Sequence, residues 1–421
     1  MGMDEGLGPR GEAPLLVVVH TPDAFSPLQI AEAADGICRF LWLIDGTARS
    51  DPGYRRLMSK FGPVIDHAGL TLDQLVEEVA KADPAGIVTF TDDGQMLTSR
   101  LAHRLGLDFH PVEVVERLID KVAQRTALAA AGFPGPQFWT VPAGASGQEL
   151  EAVVGAVTFP VVVKPRQGAA SRDTYRADDA GTLGAVLAAN TDEEMIVETY
   201  LADITPLDSQ EFSDFVSVES VVRRGEVRHL AVTGRFPLAE PFRGSGMFIP
   251  SHLSTGLITE IEQLAGDAAI ALGVRTSIMH TEIKVTPDGP RIIEVNGRVG
   301  GGVPDILRLL GGPALIRWRL LLALGLELPV AELRPFDGIG FYLWHQPPIG
   351  AHRIVAVNGL DEVAGLPGVL EVRPKRGPGD HVDWREGGVG HVFGVGGVVG
   401  THEELVDLRH RILDMTSVRY A

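Results

Sequence analysis

The segment HTEIKVTPDGPRIIEVNGRVGGG, residues 280–302, constrains the fold more than any other stretch of the chain. Pro287-Asp288-Gly289 is a turn signal, and the runs on either side alternate apolar and polar residues. The pattern predicts an antiparallel hairpin. With Thr286 opposite Pro290 across a three-residue loop, Glu282 falls opposite Glu294. Side chains alternate faces, so Glu282 lies with His280 and Lys284, and Glu294 with Ile292 and Asn296. Two opposed carboxylates repel and destabilise a sheet unless something cationic lies between them. Asn296 adds a carbonyl oxygen two residues on. Two Glu and one Asn form an all-oxygen set suited to Mg²⁺, a hard cation that keeps waters and takes substrate phosphates as further ligands. A hairpin with solvated charges is the alternative. The apolar Ile283, Val285, Ile292, Ile293 and Val295 argue against full exposure.

Two further segments carry cations. In FPVVVKPRQGAAS, Lys164 ends a buried apolar strand, a costly place unless it meets an anion or reaches water. The small-residue loop that follows would let backbone N–H groups approach phosphates. In IDKVAQRTALAAAGFPGPQF, Lys121 and Arg125 are four apart on one helix face, where they serve an anion or solvate the helix.

The rest of the chain sets these segments in order. LLVVVH, RFLWLIDG and GIVTFTD read as strands alternating with helices, which predicts a parallel, Rossmann-like α/β unit. No glycine follows its first strand at His20-Thr-Pro-Asp, so a dinucleotide site is not expected there. Val112 to Ala131 reads as one helix and Pro304 to Leu324 as another. VSVESVVRRGEVRHLAVTGRF reads as a hairpin turning at Arg224-Gly225. The expected boundaries are a disordered leader over 1–13, an N-terminal α/β domain over 14–112, a central domain over 113–335 and a C-terminal α+β domain over 336–421. Within the central domain a smaller subdomain is expected at about 133–192.

Composition excludes several functions. The 421 residues hold 37 Lys+Arg against 55 Asp+Glu, a net charge of −18, so the chain is not built to coat nucleic acid. The one cysteine, Cys38, rules out an intrachain disulfide and a Cys-based metal site. The first apolar run is too short for a signal peptide, and Leu315 to Leu328 carries Arg317 and Arg319, so no membrane association and a cytoplasmic location are expected. No Gly-Lys pair exists for a P-loop. GVGGVVG, 394–400, nearly matches G-x-G-x-x-G but has Val399 where the last glycine belongs. A phosphate site there is conceivable; a glycine-rich turn is the plainer reading.

Taken in order, the DK…R…L…AGFPGP helix, the VVVKP strand with its small-residue loop, the VETYL strand, the SDFVSVESVV hairpin and the EIKVTPDGPRIIEVNGR hairpin resemble the ATP-grasp superfamily. The resemblance covers roughly residues 14–335. SVES, GMFIPSHLS, HTEIK and E-x-N-x-R with trailing glycines are most similar to the bacterial L-amino acid ligases, or dipeptide synthetases. It implies an ATP-grasp fold behind a Rossmann-like N-terminal domain, and an ADP-forming carboxylate–amine ligase that makes an amide or peptide bond through an acyl phosphate. Another ATP-grasp ligase, such as a carboxylase or a purine-pathway synthetase, is the alternative.

The resemblance also implies roles. Lys121 and Lys164 match the lysines that touch ATP phosphates. Gln167 to Ser171, with Gly168, match the phosphate-covering loop. Glu198, Tyr200 and Leu201 match the hinge that holds adenine, and Asp214 or Glu219 a ribose or substrate acid. Glu282, Glu294 and Asn296 match the magnesium ligands, and Arg298 the arginine that steadies the acyl phosphate. His252, Arg243, Met247 and the residues after Gly300, Gly301 first, are candidate substrate contacts. The implied cofactors are ATP and Mg²⁺, with Mn²⁺ a possible substitute. The implied partners are a small carboxylate and an amine, with a homodimer as the assembly.

Overall fold

The computed structural model describes residues 13–21, 25–46, 52–204, 211–329 and 335–421. Residues 1–12 of the expected leader, and 205–210 of the polar stretch after the VETYL strand, lie outside the described residues. Among the described residues no helix is long and apolar enough to cross a membrane. The chain divides into two compact units, residues 1–115 with 314–330, and residues 116–313 with 331–421.

The first unit runs β1 (Leu15–Val19), α1 (Pro27–Ala33), β2 (Arg39–Ile44), α2 (Pro52–Met58), β3 (Val64–Asp66), α3 (Leu72–Ala80), β4 (Gly86–Thr89) and α4 (Asp92–Leu105). The strands form a parallel sheet of order β3-β2-β1-β4. This is the expected Rossmann-like unit with a further strand, β3, that the sequence pattern does not predict. Three half-buried residues give β3 too short a run to show a period. Both sheet faces are covered, so β1 and β2 read as continuous apolar runs.

The second unit begins within α5 (Val112–Ile119), at Glu116, followed by α6 (Lys121–Ala130). One helix was expected here; two form. Asp120 interrupts them by capping the second, its side chain accepting from the N–H groups of Val122 and Ala123. Next come β5 (Phe138–Val141), α7 (Gly147–Ala156), β6 (Val161–Pro165), β7 (Tyr175–Ala177), α8 (Ala180–Ala189) and β8 (Met195–Thr199). They make a four-stranded antiparallel sheet, order β5-β8-β6-β7, with Val161, Val163, Val197 and Leu183 in its own small core.

The largest sheet has eight strands in the order β13-β12-β9-β10-β11-β14-β17-β16. It collects β9 (Phe215–Arg223), β10 (Glu226–Arg235), β11 (Gly246–Ile249), β12 (Ser277–Thr286) and β13 (Gly289–Asn296), with α9 (Thr255–Ala271) packed over them. The helix expected over 304–324 is two: α10 (Val303–Leu309) and α11 (Leu315–Ala323), the latter belonging to the first unit. Gly311-Gly312-Pro313 breaks the helix, a signal present in the sequence. The chain ends with β14 (Ile339–Trp344), β15 (Ile354–Asn358), α12 (Leu360–Ala364), β16 (Val369–Pro374), β17 (Phe393–Val399), α13 (His402–Met415) and β18 (Ser417–Tyr420).

GVGGVVG is neither turn nor phosphate loop. Its residues 394–399 lie in strand β17 (Phe393–Val399), between β14 and β16. Its glycines make room: a Cβ on Gly396 would lie 2.6 Å from the Tyr342 ring.

Candidate active site

The β12–β13 hairpin places Glu282 opposite Glu294, as the letters predict, by a different route. The turn is Pro287-Asp288 alone, with Thr286 paired to Gly289, not Pro290. Gly289 has φ +94°, which glycine takes at least cost. From there the ladder runs to Ile283 opposite Ile292. A β-bulge follows, leaving Ile293 as the extra residue, and Glu282 meets Glu294 beyond it. Past that pair, His280 stands opposite Asn296.

Both carboxylates meet basic side chains. Lys121 Nζ is 3.0 Å from Glu294 Oε1 and donates to the Gly168 carbonyl at 2.8 Å. Glu282 Oε1 lies 3.4 Å from His280 Nε2. Burial opposes ionisation of Glu282, but His280, Arg235 and Arg298 outweigh it and bring its pKa down to about 2. His280 in turn hydrogen-bonds Glu219 through Nδ1 at 2.9 Å. Arg298 Nη1 donates to Val299 O at 3.2 Å, and its Nη2 reaches Asn296 Oδ1 at 3.5 Å.

A second ionic cluster adjoins the first. Lys164 and Glu198 face the same side of the small sheet, away from its core, on paired strands. Lys164 Nζ is 2.8 Å from Glu198 Oε2. Arg125 Nε donates to Glu198 Oε1 at 2.7 Å. Arg125 and Glu198 are 5% and 4% exposed, so the pair is desolvated. Burial would raise the Glu198 pKa; Arg125 and Lys164 overcome it and hold the carboxyl at about 2. Burial pushes Lys164 below the ordinary lysine value, with Glu198 opposing.

Contacts thus group Lys121 with Glu294 and Gly168, Lys164 with Glu198, and Arg298 with Asn296, while Glu282 meets His280 and stands opposite Glu294 in the ladder. The other candidates are held differently. Tyr200 lies between Arg176 and Lys284, at 4.6 and 5.3 Å from its ring centre, and donates to Asp203 at 2.7 Å. Leu201 follows it, half-buried. Ser171 has φ +58° in the loop after β6. His252 packs against Phe212, Phe248 and His402. Arg243 donates to the carbonyls of Glu240 and Pro347. Gly301 is exposed in the turn before α10, and Met247 is buried on β11. Asp214 accepts from Ile204 N at 2.8 Å. Glu219 is 0% exposed and takes hydrogen bonds from Ser217, Thr233 and His280, so it cannot meet a ribose. Asp203 pairs with Lys284 and accepts from Tyr200, and an Asp in a polar stretch gives no sequence signal of this.

The donor set tests the implied cation. Among the described residues no three His, Cys, Asp or Glu side chains cluster as a metal site. The set is two carboxylates and one amide, Glu282 and Glu294 being partly exposed and Asn296 buried. Two hard-oxygen carboxylates and an amide oxygen fit Mg²⁺ better than a softer metal.

Residues 157–305 match the family model described as ATP-grasp domain. The fold is similar to the crystal structure of the L-amino acid ligase from Bacillus licheniformis, with a TM-score of 0.78 at 19% identity over 98% of this chain and 100% of that one. Carnosine synthase 1 of Gallus gallus is 29% identical over 288 residues, 64% of this chain and 30% of its own. Alanine–anticapsin ligase of Bacillus subtilis is 26% identical over 270 residues, 57% of this chain and 55% of its own. The chain spans under two thirds of the length of these curated relatives. It carries an ATP-grasp domain and has the ATP-grasp fold.

Proposed function

We propose that the chain is an ATP-dependent carboxylate–amine ligase that joins two amino acids, or an amino acid and a related acid, through an acyl phosphate. The observation that carries this reading is the Glu282–Glu294 pair with Lys121 against it and Lys164 beside it. The relatives' names support the amide chemistry. The reaction is placed in the cytoplasm, where ATP is supplied, and the assembly is a homodimer.

Glu282, Glu294 and Asn296 would hold Mg²⁺, or Mn²⁺ in its place, which supplies charge neutralisation to the triphosphate when bound. Lys121 and Lys164 would leave their carboxylate partners for phosphate oxygens. The loop of Gln167 to Ser171 would cover the phosphates. Glu198, Tyr200 and Leu201 would frame the adenine, with Asp203 or Asp214 at the ribose. The substrate carboxylate attacks the γ-phosphorus, ADP leaves, and an acyl phosphate forms. Arg298 presents paired donors to that phosphate and to the oxyanion formed when the amine attacks. Phosphate then leaves, and the amide remains. His252, Arg243, Met247 and Gly301 remain the candidates around the organic substrates.

The test is a screen of amino-acid pairs with ATP and Mg²⁺, reading nucleotide products. ADP and phosphate should appear only when carboxylate and amine are both present. AMP with pyrophosphate as the main product removes the acyl-phosphate route. Dependence on bicarbonate turns the reading to a carboxylase.

A further inference from the structure

Among the described residues strand β13 is an edge strand, paired only with β12. No described strand bonds its outward edge, yet this strand carries Glu294. Helix α6 serves them instead. Val295 N–H donates to Gln124 Oε1 at 2.8 Å, and Gln124 Nε2 donates to Val295 O at 2.9 Å. This is the two-point contact that a neighbouring strand makes. The same Nε2 also donates to Arg117 O at 3.0 Å, which fixes the amide. Arg125 takes two further carbonyls, donating to Ile292 O at 3.2 Å and Ile293 O at 2.5 Å. Ile293 is the bulge residue.

We propose that Gln124 and Arg125 are positioning residues that hold β13 in its bulged register and so keep Glu294 opposite Glu282. The proposal rests on the reading of that pair as the metal–nucleotide site. Its physical core is the register. Without the bulge, Glu282 would face Ile293, and Glu294 would move opposite Thr281 with its side chain on the other face. The carboxylate pair therefore exists only while the bulge does. A bulge leaves a carbonyl outside the ladder, and a buried unpaired carbonyl is costly. Arg125 satisfies that carbonyl with a charged donor. Lys121, Gln124 and Arg125 lie at i, i+3 and i+4, one face of α6. That face meets residues 292–295 as the Glu294 carboxylate, the Val295 amide unit and two carbonyls. The other side of the Arg125 guanidinium binds Glu198, the partner of Lys164. One helix thus aligns the hairpin with the small sheet.

The test uses full-length Gln124→Met and Arg125→Lys. Methionine keeps the shape of glutamine without its polar atoms. Lysine keeps the charge without the planar fork. Deuterium exchange of residues 289–296 is followed without ligand, and Kd is measured for Mn²⁺ alone and for MgADP. Exchange over 289–296 should rise about 10-fold or more in both variants while β9 and β10 stay protected. Binding of both probes should weaken about 10-fold or more, the scale seen when groups that orient metal ligands are lost. Ile87→Val in the first unit, with its own loss of Tm, serves as a control and should bind both probes as wild type does. Unchanged exchange in both variants overturns the proposal. So does faster exchange with wild-type binding. A wild-type chain that binds neither probe removes the site reading instead, and exchange at 289–296 still decides whether α6 holds the register.

Discussion

Lys121 Nζ sits 3.0 Å from Glu294 Oε1 and 2.8 Å from the Gly168 carbonyl, so one ammonium ties the carboxylate hairpin to the loop after β6. Glu294 is opposed by Glu282, and Lys121 supplies the cation that two facing carboxylates need. Glu294→Gln removes that attraction and the repulsion together. The two effects oppose each other, so stability without ligand should hold or rise slightly. Ligase turnover should fall at least about 100-fold, the scale of losing a key electrostatic group. A denaturant melt and a product assay on one preparation check both. Near-normal turnover at low magnesium removes Glu294 from the metal site.

Arg298 lies two residues past Asn296 and reaches its amide oxygen, while its charge helps keep Glu282 ionised. Its planar guanidinium offers two donors to one phosphate, which lysine cannot do. Arg298→Lys should lower kcat roughly 10²–10³-fold and leave ATP affinity little changed. Unchanged turnover would reduce Arg298 to a structural contact.

Much of this was legible in the letters. The hairpin, the Glu282–Glu294 pairing and the parallel first sheet follow from alternation and turn signals. The pairing survived an error of register, because the two-residue turn shifts the ladder by one and the bulge at Ile293 shifts it back. No local pattern announces that bulge; Arg125 and Gln124 stabilise it from 167 to 171 residues away in sequence. For the same reason the letters leave Arg125 open between serving an anion and solvating the helix; in the fold it binds Glu198. Asp120 as a cap, and Gly311-Gly312-Pro313 as a break, were visible signals that apolar periodicity overrode.

Glu198 gives a pH prediction. Its pKa of about 2 in the folded chain lies below the ordinary glutamate value of 4.5. Folding therefore favours the ionised form, and the stabilisation is present above about pH 4.5. It is lost progressively as pH falls toward 2. Glu198→Gln should lower stability at pH 7, because Arg125 and Lys164 lose their shared anion. Its melts should also flatten between pH 4.5 and 2 relative to wild type. Parallel acid slopes for the two chains would show that Glu198 does not drive that loss.

The segment Trp384–Gly390 gives the last prediction. Gly388 N donates to Ala170 O at 2.7 Å, and Trp384 meets the Tyr175 ring edge-on at 5.7 Å. Gly387 has φ +70°, and a Cβ there would stand 2.1 Å from Ala170 O and 2.8 Å from Arg172 N. Both the backbone conformation and the close approach require glycine. Gly387→Ala should separate this segment from the loop after β6, at a stability cost above about 1 kcal/mol. Trypsin should then cut faster after Arg166 and Arg172. In the proposed reaction that loop shields an acyl phosphate from water. The variant should release more phosphate per amide formed, because water competes with the amine. A wild-type ratio together with wild-type proteolysis would mean that the contact plays no part in closing the loop.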